Sequence, residues 1–319
     1  AVQHPHRDAS EQAPAHASWR DAARDLVLWP DPDIRWSLRA ANAALTLPPS
    51  KWVLTTSPPE SVHAAGAFLK RRAGARWIAD FRDHWLTRPH RAQRHQWWRR
   101  AGEARLAKTW LKQADLVLAV DSEIAAELAA FGAKRPHVLP HVATPALAPA
   151  ALPARTTNIV HTGSLSLSDP ECDIELILTP FAEAHARNPA LRLHLAGRLT
   201  DYERARVASS SVSEAIVQHG VIPMEDARAL QAGADALIFA ASSKMHVPPS
   251  KIVEYLTTEA PIIACGVGPW RNDPRAPGGD PVEAMASLSK GVHVSGRAKP
   301  PSPADAAESL RALMLAHTQ

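Results

Sequence analysis

The chain has 319 residues, 45% of them hydrophobic and 21% charged, with a formal net charge of +4 and an isoelectric point near 9.3. That balance excludes a disordered or collagen-like chain and leaves enough length for two domains, each with its own core. No run approaches the ~20 apolar residues of a membrane-spanning helix, and the mild basic excess suits an anionic partner without choosing among nucleotide, phospholipid and nucleic acid.

The start, Ala1–Arg20, is polar and His-rich with no apolar core segment, so no signal peptide is expected and the reading is a cytoplasmic protein. Short apolar, β-rich runs then alternate with longer helical patterns. In the first half the predicted strands are Asp25–Trp29, Trp52–Thr55, Trp77–Phe81 and Leu116–Val120, with helical patterns over Ser61–Ala73 and Ser122–Phe131. Pro140–Ala154 is proline-rich and aperiodic, which predicts an extended linker between domains 1–145 and 146–319. Beyond it, strands are predicted at Asn158–His161, Leu191–Ala196, Ala215–His219, Ala236–Ala240 and Ile262–Cys265. Helices are predicted over Asp173–Arg187, Met224–Gly233 and Ser250–Thr258, with a last amphipathic helix at Ala304–Met314. A parallel return needs a crossover, so this alternation predicts an α/β chain of two Rossmann-like domains with parallel sheets. Ligands of such sheets sit beyond the C-terminal strand ends, and two domains facing each other would place a cleft there.

The cysteines, Cys172 and Cys265, lie far apart without a CxxC, which fits a reducing compartment and offers no zinc site. The 16 histidines show no HExxH spacing, and Asp31-Pro32-Asp33 sits in a Trp/Pro-rich turn, so no metal is predicted. Arg88–Lys112 is a basic segment with Trp97, Trp98 and Trp110 interleaved and Glu103 as its one acid. That composition suits an anionic membrane surface and a lipid-linked acceptor, hence a peripheral place at the inner membrane face. It equally suits a solvated helix tucking its tryptophans into its own domain. No nucleic-acid-binding fold signature accompanies it, so no nucleic-acid partner is expected.

The second half carries the more informative motifs. "IVHTGSL" (Ile159–Leu165) and "LHLAGR" (Leu193–Arg198) are strands entering Gly turns, and "VPPSKIVEYL" (Val247–Leu256) is a loop opening a helix with Lys251 and Glu254 in its first turns. A helix start offers N–H groups for a diphosphate, and a carboxylate one turn in can accept two hydrogen bonds from a ribose diol. Spacing alone leaves Glu254 equally a surface residue.

The series Gly163-Ser164-Leu165, Gly197-Arg198, Gly220-Val221, Ala234-Asp235 and Pro249–Leu256 resembles the nucleotide-sugar half of family-4 GT-B glycosyltransferases, which are retaining enzymes. "WPDPDIRW" (Trp29–Trp36), "TTSPPESVH" (Thr55–His63), "RWIADFRDHW" (Arg76–Trp85) and "ADLVLAVDSEIAAEL" (Ala114–Leu128) resemble the acceptor domain of a bacterial branch with a DFRDxW motif. The resemblance runs from about Leu28 to Gly266. It implies a metal-independent sugar transfer from a UDP- or GDP-linked donor, with no further cofactor, to a polysaccharide, glycolipid or natural-product acceptor. Glu254 matches the second glutamate of the family's E-x7-E motif, expected on the ribose, while His246 stands where the first falls. Ser164 and Asp169 stand where the family usually has Arg and Lys, leaving Arg198 and Lys251 for the diphosphate. Gly163, Ser164, Ser250 and Ile252 complete the nucleotide-sugar set. On the acceptor side the implied catalytic residues are Asp80, Arg82 and Asp83, a carboxylate orienting the acceptor hydroxyl or taking its proton; a structural Arg–Asp pair is the competing role. His63 is a cleft candidate or a structural histidine. The family's opening strand and Gly-rich loop have no counterpart, since Ala1–Asp25 contains no glycine. A non-catalytic GT-B-like protein that binds a nucleotide-sugar or a partner, and a GT-B sugar-nucleotide epimerase, are the alternative readings.

Overall fold

The computed structural model describes residues 29–87, 97–144 and 148–317. The expected strand at Asp25–Trp29 lies, but for Trp29, outside the described residues, as does the 88–96 part of the basic segment. The chain forms two compact units; the division falls between Leu139 and Pro140, and the tail from Leu313 belongs with the first unit.

In the first unit the elements run α1 (Ile34–Ala44), β1 (Trp52–Ser57), α2 (Val62–Ala73), β2 (Arg76–Phe81), α3 (Trp97–Gln113), β3 (Leu116–Ala119), α4 (Ser122–Ala130) and β4 (His137–Val138). The strands pair in sequence order, all parallel, with Trp52 opposite Arg76, Ile78 opposite Leu116 and Leu118 opposite His137. Successive right-handed crossovers in one direction put α2, α3 and α4 on the same face of the sheet. An aromatic core fills that layer: Trp85 stacks on Phe81 at 6.1 Å and on Trp110 at 5.6 Å between ring centroids. Gly66 lets α2 approach the sheet, because a Cβ there would lie 2.1 Å from Trp77 Nε1. His63 belongs to this core. It is fully buried, bonded through Nδ1 to Thr55 Oγ1 at 2.8 Å, and burial pushes its pKa down to about 3, so it stays neutral.

The Trp/Pro turn that reads as loop in the sequence opens a helix, α1. Asp31 explains its entry: its carboxylate accepts Ser61 N–H at 2.8 Å and Ser61 Oγ–H at 2.6 Å, tying the turn to the start of α2. The Asp31-Pro32-Asp33 motif is therefore occupied structurally, and no described group of three or more His, Cys, Asp or Glu is placed to hold a metal. No described helix is long and apolar enough to cross a membrane.

The second unit runs β5 (Thr157–Thr162), α5 (Glu175–Arg187), β6 (Leu191–Ala196), α6 (Asp201–Ser209), β7 (Ile216–Gly220), α7 (Met224–Gly233), β8 (Ala236–Ala240), α8 (Lys251–Tyr255), β9 (Ile262–Cys265), α9 (Pro281–Ala286) and α10 (Pro303–Ala316). Its parallel sheet has the order β7-β6-β5-β8-β9. Strands added after β5 go to one side and strands from β8 onward to the other, so the order reverses at β5/β8. Such a reversal opens a crevice beyond the strand ends. All six residues of β5 are buried, although Thr157, Asn158, His161 and Thr162 are polar. The predicted helix over Ser250–Thr258 is shorter than its pattern, five residues, and is followed by turns. His317, beyond the end of α10, belongs to the first unit, where its carbonyl accepts from the Arg76 guanidinium.

Candidate functional site

The crevice of the second unit holds a cavity of about 650 Å³. Its floor is the backbone of Gly163 and Gly197, which follow β5 and β6 with φ of +96° and +150°; behind them Gly220 ends β7 with φ of +66°. Gly163 N–H donates to the Ala196 carbonyl at 2.7 Å and Gly197 N–H to the Gly220 carbonyl at 2.8 Å. A Cβ on Gly197 would lie 2.3 Å from the Gly163 oxygen, so only glycine permits this approach.

Lys251 and Glu254 stand over this floor from α8. Lys251 Nζ donates to the Ser164 carbonyl at 3.2 Å and lies 3.4 Å from His161 Nε2. The other nitrogen of His161 faces the Ile238 carbonyl at 3.0 Å and so carries the proton, which leaves Nε2 as acceptor for the ammonium. Burial holds His161 well below the usual imidazole range, with the Lys251 charge adding to the effect. Burial likewise lowers Lys251 to about 8. Two of its three N–H bonds are accounted for, which leaves one for a ligand.

Glu254 is held by a polar network that runs into the core. Gln231 Nε2 donates to Glu254 Oε2 at 3.1 Å and to Thr162 Oγ1 at 2.8 Å. Thr162 N–H donates to Tyr255 Oη at 3.0 Å, and the phenol donates onward to the Ile238 carbonyl at 3.3 Å. The carboxylate is thus fixed at the cavity wall by one neutral donor, Gln231, with its second oxygen directed to no partner in this network. The far wall is mostly apolar: Val221 is 74% and Met224 62% exposed, with Ile222 and Val142 also lining it and His141 the polar residue there.

The predicted donor-side residues separate into two groups. Gly163, Ser164, Ser250, Lys251 and Glu254 line one cavity. Ile252 is fully buried among Phe239 and Trp270 and anchors α8, Arg198 is exposed outside the cavity, and His246 is exposed in the loop before α8. The helix start itself has little to offer an anion, because Ile252 N–H and Val253 N–H already bond the Pro249 and Ser250 carbonyls. Gln231, Thr162, His161 and Tyr255 were not singled out from sequence. The available signal was polar residues inside otherwise apolar strand and helix patterns, where a buried polar group implies a partner.

In the first unit, Asp80 is the penultimate residue of β2, paired with Leu118, and Arg82 and Asp83 follow the strand end. Asp80 is buried and its carboxyl pKa is raised by burial, against the pull of Arg82 at 3.7 Å. Arg82 also donates to the Leu139 carbonyl at 3.0 Å, and the Asp83 carboxylate accepts His84 N–H at 2.8 Å. The loop is then locked by Glu127 of α4, which accepts Leu86 N–H and Thr87 Oγ–H at 2.8 Å and bonds His84 Nδ1.

No protein-family model and no curated protein matches the sequence. Solved structures do match. A protein from Listeria monocytogenes described as a UDP-N-acetylglucosamine 2-epimerase superposes with a TM-score of 0.60 at 13% identity, over 89% of this chain and 79% of that one. The pneumococcal O-GlcNAc transferase GtfA, in complex with UDP and GlcNAc, gives 0.50 at 14% identity over 88% of this chain. TarM gives 0.50 at 10% identity over 73% of this chain. The chain spans about half the length of these two proteins, 51% and 44%. At such identities the likeness is one of fold: two parallel-sheet α/β units of the GT-B type, a fold shared by proteins that use nucleotide-sugars.

Proposed function

We propose that the second unit binds a nucleoside-diphosphate sugar and that the chain is a retaining glycosyltransferase of the family-4 kind. The observation that carries this reading is the convergence of Lys251 and Glu254 on one glycine-floored cavity. In this reading Glu254 accepts both hydroxyls of the ribose, its orientation held by Gln231. The base lies against Val221 and Met224, whose exposed side chains gain from covering. The diphosphate crosses the Gly163 turn and takes the remaining N–H of Lys251. As the glycosidic bond to phosphate lengthens, charge grows on the leaving oxygen, and a fixed, partly buried cation stabilises it more than a solvated one would. This role is one a divalent metal fills elsewhere, so the reading needs no metal. Asp80, Arg82 and Asp83 remain the acceptor-side candidates, and His246 the candidate nearest the transferred sugar in the chain order of the motif. The acceptor class is a polysaccharide, glycolipid or natural product.

Titration calorimetry with UDP and GDP tests the donor site. Glu254→Ala is expected to weaken the better ligand by about 1–3 kcal/mol, the cost of a lost charged hydrogen-bond partner; unchanged affinity would remove the assignment. A second reading, sugar-nucleotide epimerisation, is favoured by the fold match over most of the Listeria protein. Incubation with UDP-N-acetylglucosamine and no acceptor separates the two: an epimerised sugar-nucleotide supports epimerisation, slow hydrolysis with an α-configured sugar supports retaining transfer. Binding without any turnover supports the non-catalytic alternative.

A further inference from the structure

Lys70 is paired with Asp115 at 2.6 Å and Lys244 with Glu171, and a carboxylate partner keeps an amine charged. Lys251 is placed differently. Among the described residues its nitrogen has no carboxylate at ion-pair distance; its two partners are the Ser164 carbonyl and His161 Nε2, both neutral acceptors. A tetrahedral nitrogen has three positions besides its bond to Cε. Two face these acceptors, and the third is left to the cavity that Lys251 lines. The nitrogen stands over the glycine floor, since a Cβ on Gly163 would lie 3.5 Å from Nζ, and Ser164, Ser168 and Ser250 line the same space.

In the charged amine the third position is an N–H. In the neutral amine both hydrogens stay on the two acceptors and the third position is the lone pair. Loss of one proton therefore turns the same geometry from an anion-binding cation into a nucleophile aimed at the floor of the cavity. Burial brings that loss near neutral pH by lowering Lys251 to about 8, with Cys172 and Glu254 pulling the other way. The titratable groups facing the amine are His161 of β5, Cys172 beyond β5 and Glu254 of α8. The first two are neutral, because burial holds His161 low and pushes Cys172 up to about 11.

We propose that Lys251 is a modification site for acyl phosphates, whose phosphate seats on the glycine floor while the acyl group passes to Nζ. The lone pair attacks the acyl carbon and an N–C bond forms. The C–O bond to phosphate breaks, and the proton that the nitrogen sheds leaves on the departing inorganic phosphate. The amide nitrogen keeps one hydrogen for one of its two acceptors and has no charge left to offer an anion. The modification itself stands apart from the sugar-transfer reading, but its consequence rests on that reading. An acyl group would replace the cation with neutral bulk where the diphosphate crosses, so the acyl-phosphate level would set how much of the protein binds its donor.

Acetyl phosphate is the probe, and mass spectrometry of peptides from the treated full chain gives the acetylated fraction at each lysine. At pH 7.5 about one amine in four is neutral at Lys251, against about one in a thousand for a solvated lysine. A less basic amine is a weaker nucleophile, which takes back roughly tenfold of that gain if amines follow the trend of thiolates. Lys251 is therefore expected to react about tenfold faster than Lys70 or Lys244, levelling off above pH 8 while they keep climbing. Inorganic phosphate is expected to slow Lys251 selectively, acetyl-CoA at equal concentration to react there more slowly, and urea to abolish the preference. Treated protein should bind UDP about tenfold more weakly or worse, and treated Lys244→Arg should lose affinity in the same way. Acetylation of Lys251 no faster than that of Lys70 and Lys244 would overturn the proposal. So would indifference to phosphate, a faster reaction with acetyl-CoA, or a preference that survives in urea. Preferential acetylation with unchanged UDP affinity would leave the modification site standing and remove the donor site instead.

Discussion

Replacing Lys251 with methionine should move stability and ligand affinity in opposite directions. Burial displaces the Lys251 pKa from 10.5 to about 8, which corresponds to about 3 kcal/mol spent on keeping the ammonium charged near neutral pH. Below pH 8 the folded and unfolded amines are both charged and that cost is present in full. Between about 8 and 10.5 the folded amine has lost its proton while the unfolded one keeps it, so this residue makes stability rise with pH across that window. Methionine keeps the length and removes the charge. It also leaves the Ser164 carbonyl and His161 Nε2 without their donor, at a cost of about 1 kcal/mol each. The difference predicts a variant at least as stable as wild type at pH 7, and about 1 kcal/mol more stable if the side chain packs. UDP affinity should meanwhile fall by about 1–3 kcal/mol, since the diphosphate loses a charge-assisted partner. Thermal melts and titration calorimetry give both numbers. Calorimetry above pH 8 in two buffers of different ionisation enthalpy adds a third, uptake of a fraction of a proton as the bound anion draws the lysine pKa back up. A variant that melts lower and binds UDP as tightly as wild type would make Lys251 a structural residue and refute the reasoning.

Two further outcomes follow from the same geometry. Gly197→Ala should cost about 3 kcal/mol and abolish UDP binding, because its Cβ meets the Gly163 carbonyl; Gly220→Ala, where a Cβ meets nothing within 4 Å, should cost only about 1–2 kcal/mol for its left-handed backbone and keep binding. In the first unit, His84 has its pKa raised by its hydrogen bond to Glu127, against burial; Glu127 is pushed up by burial but pulled below its ordinary value by His84 and by Leu86 and Thr87. The His84 contribution is full below its unfolded pKa of 6.5 and is lost as pH rises through the raised value, while the Glu127 contribution is full above 4.5 and is lost toward acid. Glu127→Gln should therefore flatten the melting temperature against pH on both sides of that window, by about 1–3 kcal/mol at pH 6; a curve parallel to wild type would sink the assignment.

The strands were legible where buried parallel strands write themselves as apolar β-rich runs, and β2, β6, β8 and β9 lie where those runs do. β4 has two residues and no such run to show. α6 left a signal that went unread: Thr200 and Glu203 form a reciprocal capping box. α1 was hidden by its turn, whose prolines read as a breaker although Asp31 uses them to enter a helix. At the site, Glu254 and Lys251 were visible as charges at a helix start. Their supports were not, because Gln231, Thr162 and His161 become a network only when β5, α7 and α8 are brought together.

A floor made of peptide groups has no side chain to lose. In the crevice of the second unit the surface that would meet a phosphate is drawn by the backbone of Gly163 and Gly197, and the charge that would meet it hangs over from a helix elsewhere in the sequence. Shape and charge are thereby separate inheritances. Around such a seat the position of the cation can change, here to Lys251 of α8, while the contour stays as it is. For such a fold, a motif tells less about the presence of the ligand than about which wall of the cavity carries its counter-charge.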